Sequence, residues 1–175
     1  MSFDLAVFAQ RVPQDLIPAW KQALAAHGLT VEFHPSFDGH VWGGGFLPIM
    51  VKSIAPGAFP AAHRYSAPPF VCGFELTVSD LEAPSGHPSG APGRYFGLRT
   101  AMGRSVADLR LQCFAAATLA ILTEGAVEDP QQDASFEGQE AIRNAAREAD
   151  EYEAKWAKER DWDFIPVPEG GGWPA

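Results

Sequence analysis

Ser105-Val-Ala-Asp-Leu-Arg-Leu-Gln-Cys-Phe-Ala-Ala-Ala-Thr-Leu-Ala-Ile-Leu-Thr123 is the stretch on which the architecture turns. It opens with Ser-x-x-Asp, the spacing of a capping box with Asp in place of the usual Glu. Gly125 supplies a stop just beyond it. Between these signals Val106, Leu109, Leu111, Cys113, Phe114, Leu119, Ile121 and Leu122, with Ala115, Ala116 and Ala117, leave the helix almost no polar side. A helix apolar all round is a buried one. Its longest apolar run, Cys113 to Leu122, is broken only by Thr118 and falls well short of the roughly 18 apolar residues of a membrane span. The spacing therefore predicts a central helix over 105–123, its alanines letting the backbone approach a sheet closely.

Strands for that sheet lie mostly upstream. Phe3, Leu5, Val7 and Ala9 alternate along Phe3–Ala9, and Leu29, Val31 and Phe33 along Leu29–Phe33. Between them Asp15 is placed to cap a helix in which Leu16, Ile17, Trp20, Leu24 and His27 share a face, and Gly28 ends it. This opening reads as a βαβ-like unit. Phe46–Lys52, with Pro48 marking an edge or an irregular start, Phe70–Val78 and Arg94–Thr100 add three strands. No helical period joins these three, so antiparallel neighbours are expected. The loops at 34–45, 55–69 and 80–93, rich in Gly and Pro, are expected to vary most.

Downstream, Ala126-Val127 suggests a short strand before Asp129-Pro130 turns the chain. From about Gly138 to Arg160, Ile142, Ala145, Ala149, Tyr152 and Trp156 form the apolar stripe of a long charged helix. The prediction is one α+β domain over residues 1–161: a mostly antiparallel sheet of about five strands packed by two helices, plus the charged C-terminal helix. Residues 162–175 read as an extended tail whose aromatics dock on the body.

The chain has 175 residues and a formal charge of −9. Residues 1–124 are nearly neutral at −1, and residues 125–175, with thirteen acids against five bases, carry the other −8. Nucleic acid calls for a basic surface and is not expected as a partner. The N-terminus, Met1-Ser-Phe-Asp4, lacks a basic n-region, so a cytoplasmic protein with no membrane association is predicted. Cys72 and Cys113 sit in apolar segments and belong to no Cys-x-x-Cys, which favours free, buried thiols.

No catalytic set emerges. Gly-x-Ser-x-Gly is absent, and Ser105 is accounted for as a helix cap. His34, Asp38 and His40 are three potential metal ligands within seven residues, but their spacing fits a turn capped by Asp38 better than a known site, and neither metal nor cofactor is expected. Gly43-Gly-Gly45 lacks a following Lys-Ser/Thr and reads as a hairpin loop rather than a phosphate cradle. Arg94, Arg99, Arg104 and Arg110 either line an anion pocket or, on the plainer reading, are solvated or pair with the acidic last helix. On that helix and its flank, Glu148, Asp150, Glu151, Glu153, Glu159 and Asp161, with Tyr152, Trp156 and Trp162, offer charge ringing aromatic anchors, as protein interfaces do. They are the candidate partner-binding residues.

Leu119-Ala-Ile-Leu-Thr-Glu-Gly-Ala-Val-Glu-Asp-Pro-Gln131 resembles small uncharacterised bacterial α+β domains in which a packed helix ends at Gly, a short strand follows and Asp-Pro leads to a last helix. Cytoplasmic immunity proteins that neutralise toxins of interbacterial competition share this plan. The resemblance covers roughly residues 105–145 and brings no catalytic residues with it. It implies a non-enzymatic protein-binding module whose acidic surface meets a basic toxin. The competing expectation is an enzyme or small-ligand-binding domain using the 34–45 loop, with Phe37 and Trp42 as pocket walls and the nearby arginines as anion ligands.

Overall fold

The computed structural model describes residues 2–40, 42, 44–58, 68–80, 93–101, 105–156, 165, 166 and 173. The elements run β1 (Phe3–Ala9), α1 (Leu16–Ala26), β2 (Leu29–Phe33), β3 (Phe46–Ile54), β4 (Phe70–Asp80), β5 (Arg94–Thr100), α2 (Val106–Leu122), β6 (Ala126–Asp129), β7 (Ala134–Glu137), α3 (Gly138–Trp156) and β8 (Ile165–Pro166). Seven strands follow the order β2-β3-β4-β5-β1-β6-β7, and β8 pairs with β4 off that path. Every pairing is antiparallel. The protein is α+β, as expected. The five anticipated strands form β1 to β5, and three short ones extend the count.

β1 and β2 do not become neighbours. Three strands separate them, so the opening βαβ-like unit is a long crossover between distant parallel strands. The connection from β5 through α2 to β6 is a second crossover, over β1 and in the opposite direction along the sheet. β1 and β5 are antiparallel. Right-handed crossovers that leave antiparallel strands in opposite directions place their helices on the same face. α1 and α2 do pack together, α2 lies on β1, β4, β5 and β6, and α3 packs on α2. The other face of the sheet carries no helix among the described elements.

The core fills the helical side. Leu5, Val7, Phe74, Leu76, Phe96 and Leu98 meet α2, whose residues from Val106 to Ala120 are all buried. Buried polar groups join the layers. Gln112 Nε2 donates to the carbonyls of Phe3 at 3.1 Å and Leu98 at 2.7 Å, holding the ends of β1 and β5. The fully buried Trp20 donates from Nε1 to Ala115 O and Thr118 Oγ1, both at 3.1 Å, which fixes α1 on α2.

Three local expectations are corrected. Asp15 occupies the N-cap of α1 without a side-chain cap; its carbonyl accepts from Ala19 N–H at 3.1 Å instead. Pro48 does not sit in an edge strand, because β3 runs between β2 and β4. It lies one residue past Phe33–Ile49, the last β2–β3 pair, so on the β2 side no partner waits for its missing N–H, and on the other side it keeps the β3–β4 register opposite Gly73. β7 was not anticipated, although Ala126-Val127 was; the two form a hairpin around Asp129, whose Oδ1 accepts from Gln131 and Gln132 N–H. Gly28 ends α1 as read, at φ +86°.

Of the tail, Ile165 and Pro166 pair with Val71 and Phe70, and the Trp173 ring lies 5.1 Å from His34. The loop readings at 59–67 and 81–92, and the end of the last helix at 157–160, lie outside the described residues.

Candidate functional site

The capping box at the start of α2 does more than cap. Ser105 Oγ accepts from Asp108 N–H at 3.2 Å, and Asp108 Oδ2 accepts from Ser105 N–H at 2.9 Å. Asp108 Oδ1 also accepts from Gly73 N–H at 2.7 Å. The β4–β5 ladder begins at Glu75–Arg99, so Gly73 lies beyond its end and the carboxylate takes the place of a strand partner. Gly73 itself is obligatory: a Cβ there would stand 2.1 Å from Leu47 O. This carboxylate is structural, and burial, followed by Asp108, pushes the Cys72 thiol well above the ordinary cysteine range. Burial, followed by Glu148, raises Cys113 as well. Both cysteines are free and buried, and a thiol with a raised pKa is a poor nucleophile.

The partner-binding candidates divide. Arg110, 2 % exposed in the middle of the apolar helix, is held from α3 by Asp150 and Glu153, each at 2.5 Å. Glu153 is itself buried and turned inward on that guanidinium, so it is corrected from a docking residue to part of an internal ion triad. Asp150 reaches Arg110 from a half-exposed position. Glu151 is exposed, Glu148 is half-buried beside Arg147, and Tyr152 packs against the core. Trp156 closes α3; its side chain, with Glu159, Asp161 and Trp162, lies outside the described residues. The sequence points to Arg110 pairing with the acidic last helix, and the structure bears that out, but the sequence does not single out Glu153 as the buried partner. The signal for that pair is an arginine in an otherwise apolar helix, which requires a counter-charge, and a glutamate four residues beyond Ala149 on the stripe of α3.

The 34–45 loop does not gather its metal candidates. His34 Nδ1 accepts from Ser36 N–H at 3.2 Å, and Asp38 Oδ1 from His40 N–H at 2.8 Å, the turn its sequence suggested. Among the described residues no group of three His, Cys, Asp or Glu side chains is placed to hold a metal ion. Phe37 and Trp42 join Trp20, Phe33 and His34 in an aromatic cluster with ring centroids 4.9–6.4 Å apart that anchors the loop to the core.

His40 faces elsewhere. Arg94 Nη1 donates to His40 O at 3.1 Å and lies 3.3 Å from its Nδ1, while Arg94 Nε donates to Asp80 at 3.0 Å. These three residues, with Gln10 and Val12, line an open cleft of about 450 Å³. Arg99 lies on the helix-free face between Asp4 and Glu75, and Arg104 is outside the described residues.

No helix among the described residues is long and apolar enough to cross a membrane. No protein-family model, characterised protein or solved structure matches the chain.

Proposed function

We propose that the chain is a non-enzymatic protein-binding module, a cytoplasmic immunity protein that neutralises a basic bacterial toxin. The observation that carries this reading is the placing of −8 of the −9 formal charge in residues 125–175, with Glu140, Asp150 and Glu151 exposed along α3. An acidic surface steers a basic protein into encounter and repels nucleic acid, the competing polyanion. The test is association kinetics with the purified product of the neighbouring gene. Glu140→Lys combined with Glu151→Lys slows association, most at low salt; an unchanged rate rules this surface out.

A second reading follows from the Arg94–His40 contact. A guanidinium held by Asp80 and by a loop carbonyl at the mouth of a cleft suits a small carboxylate or phosphate. Calorimetric titration with citrate and with inorganic phosphate tests it. Binding that is lost in Arg94→Met supports a ligand-binding domain, and no heat with either anion removes it.

A further inference from the structure

β1 and β4 end, and β5 begins, at the cleft beside Arg94. Cross-strand pairing sets Ala9 of β1, Arg94 of β5 and Asp80 of β4 in one row. The next row inward, Val7, Phe96 and Val78, is apolar. Past β1, Gln10 and Arg11 N–H donate to Thr123 O at 3.1 and 3.0 Å, and Val12 packs against the core. The guanidinium is fixed through two of its nitrogens: Nε donates to Asp80 Oδ1 at 3.0 Å and Nη1 to His40 O at 3.1 Å. Among the described residues neither Arg94 Nη2 nor Asp80 Oδ2 has a hydrogen-bond partner. Asp80 keeps 80 % of its side chain in solvent and Arg94 keeps 27 %. The pair thus presents a donor and an acceptor, of opposite charge, to one cleft.

We infer that the cleft binds an α-amino acid with an apolar side chain, its carboxylate on Arg94 Nη2, its ammonium on Asp80 Oδ2 and its side chain on Ala9 and Val12. This rests on the reading that the cleft takes a small carboxylate, and it names the ligand. Charge chooses the zwitterion. Arg94 already faces Asp80, so a lone anion entering the cleft meets a carboxylate beside the guanidinium, and a lone cation meets the reverse. A zwitterion meets each group with the matching sign. An α-amino acid carries its two charges on one carbon, which suits protein groups held in direct contact. Because Asp80 and His40 already fix the guanidinium, little ordering remains to oppose binding. Size agrees: about 450 Å³ falls within the roughly 300–1,000 Å³ of small-molecule sites. The side chains of Ala9 and Val12 in the lining offer no hydrogen bond, so the ligand's own side chain is apolar.

The test is an amide-resolved NMR titration of the full chain with L-leucine, set against isocaproate, which lacks the ammonium, and isoamylamine, which lacks the carboxylate. Saturable shifts at Gln10, Val12, His40 and Arg94 are expected with leucine. Each half-ligand forfeits one charge-assisted contact and binds at least about tenfold more weakly. Arg94→Met abolishes leucine binding. Asp80→Asn, at an exposed position, removes the preference for leucine over isocaproate, which keeps the test valid if Arg94→Met fails to fold. Isocaproate binding as tightly as leucine overturns the amino acid and leaves the small-carboxylate reading of the cleft standing. Isoamylamine binding as tightly as leucine, or leucine shifts confined to residues outside the cleft, overturns it as well. No saturable shift with leucine also overturns it, and the titrations with citrate and phosphate then judge the small-anion reading on its own.

Discussion

At the scale of residues, Arg110 is the largest buried charged side chain among the described residues. A guanidinium inside a helix buried on all sides is tolerable only with counter-charges at contact distance, and α3 supplies two. Arg110→Ala strands the buried Glu153 carboxylate and is expected to lower unfolding stability by about 3–5 kcal/mol in urea. Arg110→Met with Glu153→Met removes both charges from the interior and should recover most of that loss. A double variant no more stable than Arg110→Ala would show that the triad contributes more than mutual neutralisation. Asp108 is another buried charge. Asp108→Ala leaves Gly73 N–H, Ser105 N–H and Ser105 Oγ without their acceptor, and is expected to cost more than the roughly 1 kcal/mol of an ordinary lost cap. Ser105→Ala, which removes only the cap, should stay near that figure. Equal losses in the two variants would contradict the link from Asp108 to β4.

At the scale of elements, the signals that were read correctly were the long ones. α2 is legible from its capping box and its largely apolar content, and β1, β2 and β4 from alternation sustained over five or more residues. β7 is not, because Ala134-Ser-Phe-Glu137 has a single large apolar residue, Phe136, and four residues do not fix a period. α3 was legible as a helix and as a stripe, but its periodicity does not say which acids turn inward. Glu153 faces α2 because Arg110 is there, a contact across 43 residues that no local pattern encodes. This division yields a prediction for the element. Glu140→Lys with Glu151→Lys changes only exposed positions and should leave the urea midpoint within about 0.5 kcal/mol of the parent. A large destabilisation would mean that the exposed face of α3 also holds the fold together.

At the scale of the whole molecule, handedness explains what composition does not. Two crossovers leaving antiparallel strands in opposite directions put α1 and α2 on one face, and the helix-free face follows from that. Strand order was not legible, since local alternation fixes strands and not their neighbours; the separation of β1 from β2 is the clearest instance. The charged row of Asp4, Arg99 and Glu75 joins residues from three distant segments, so nothing in any one of them announces it. Packing also predicts the chemistry of the thiols. Cys72 and Cys113 are buried with raised pKa values, so a thiol-specific reagent at neutral pH should label neither in the native protein and both in denaturant. Rapid native labelling would contradict the packing of α2 on the sheet.

We propose that the chain protects by binding a basic protein. Co-expression with the product of the neighbouring gene, scored by growth, tests it most directly. The neighbour alone is expected to arrest growth, the parent chain to restore it, and Glu140→Lys with Glu151→Lys, at exposed positions on α3, to restore it less. Arrest that the parent chain fails to relieve, or a neighbour that is harmless, would contradict it.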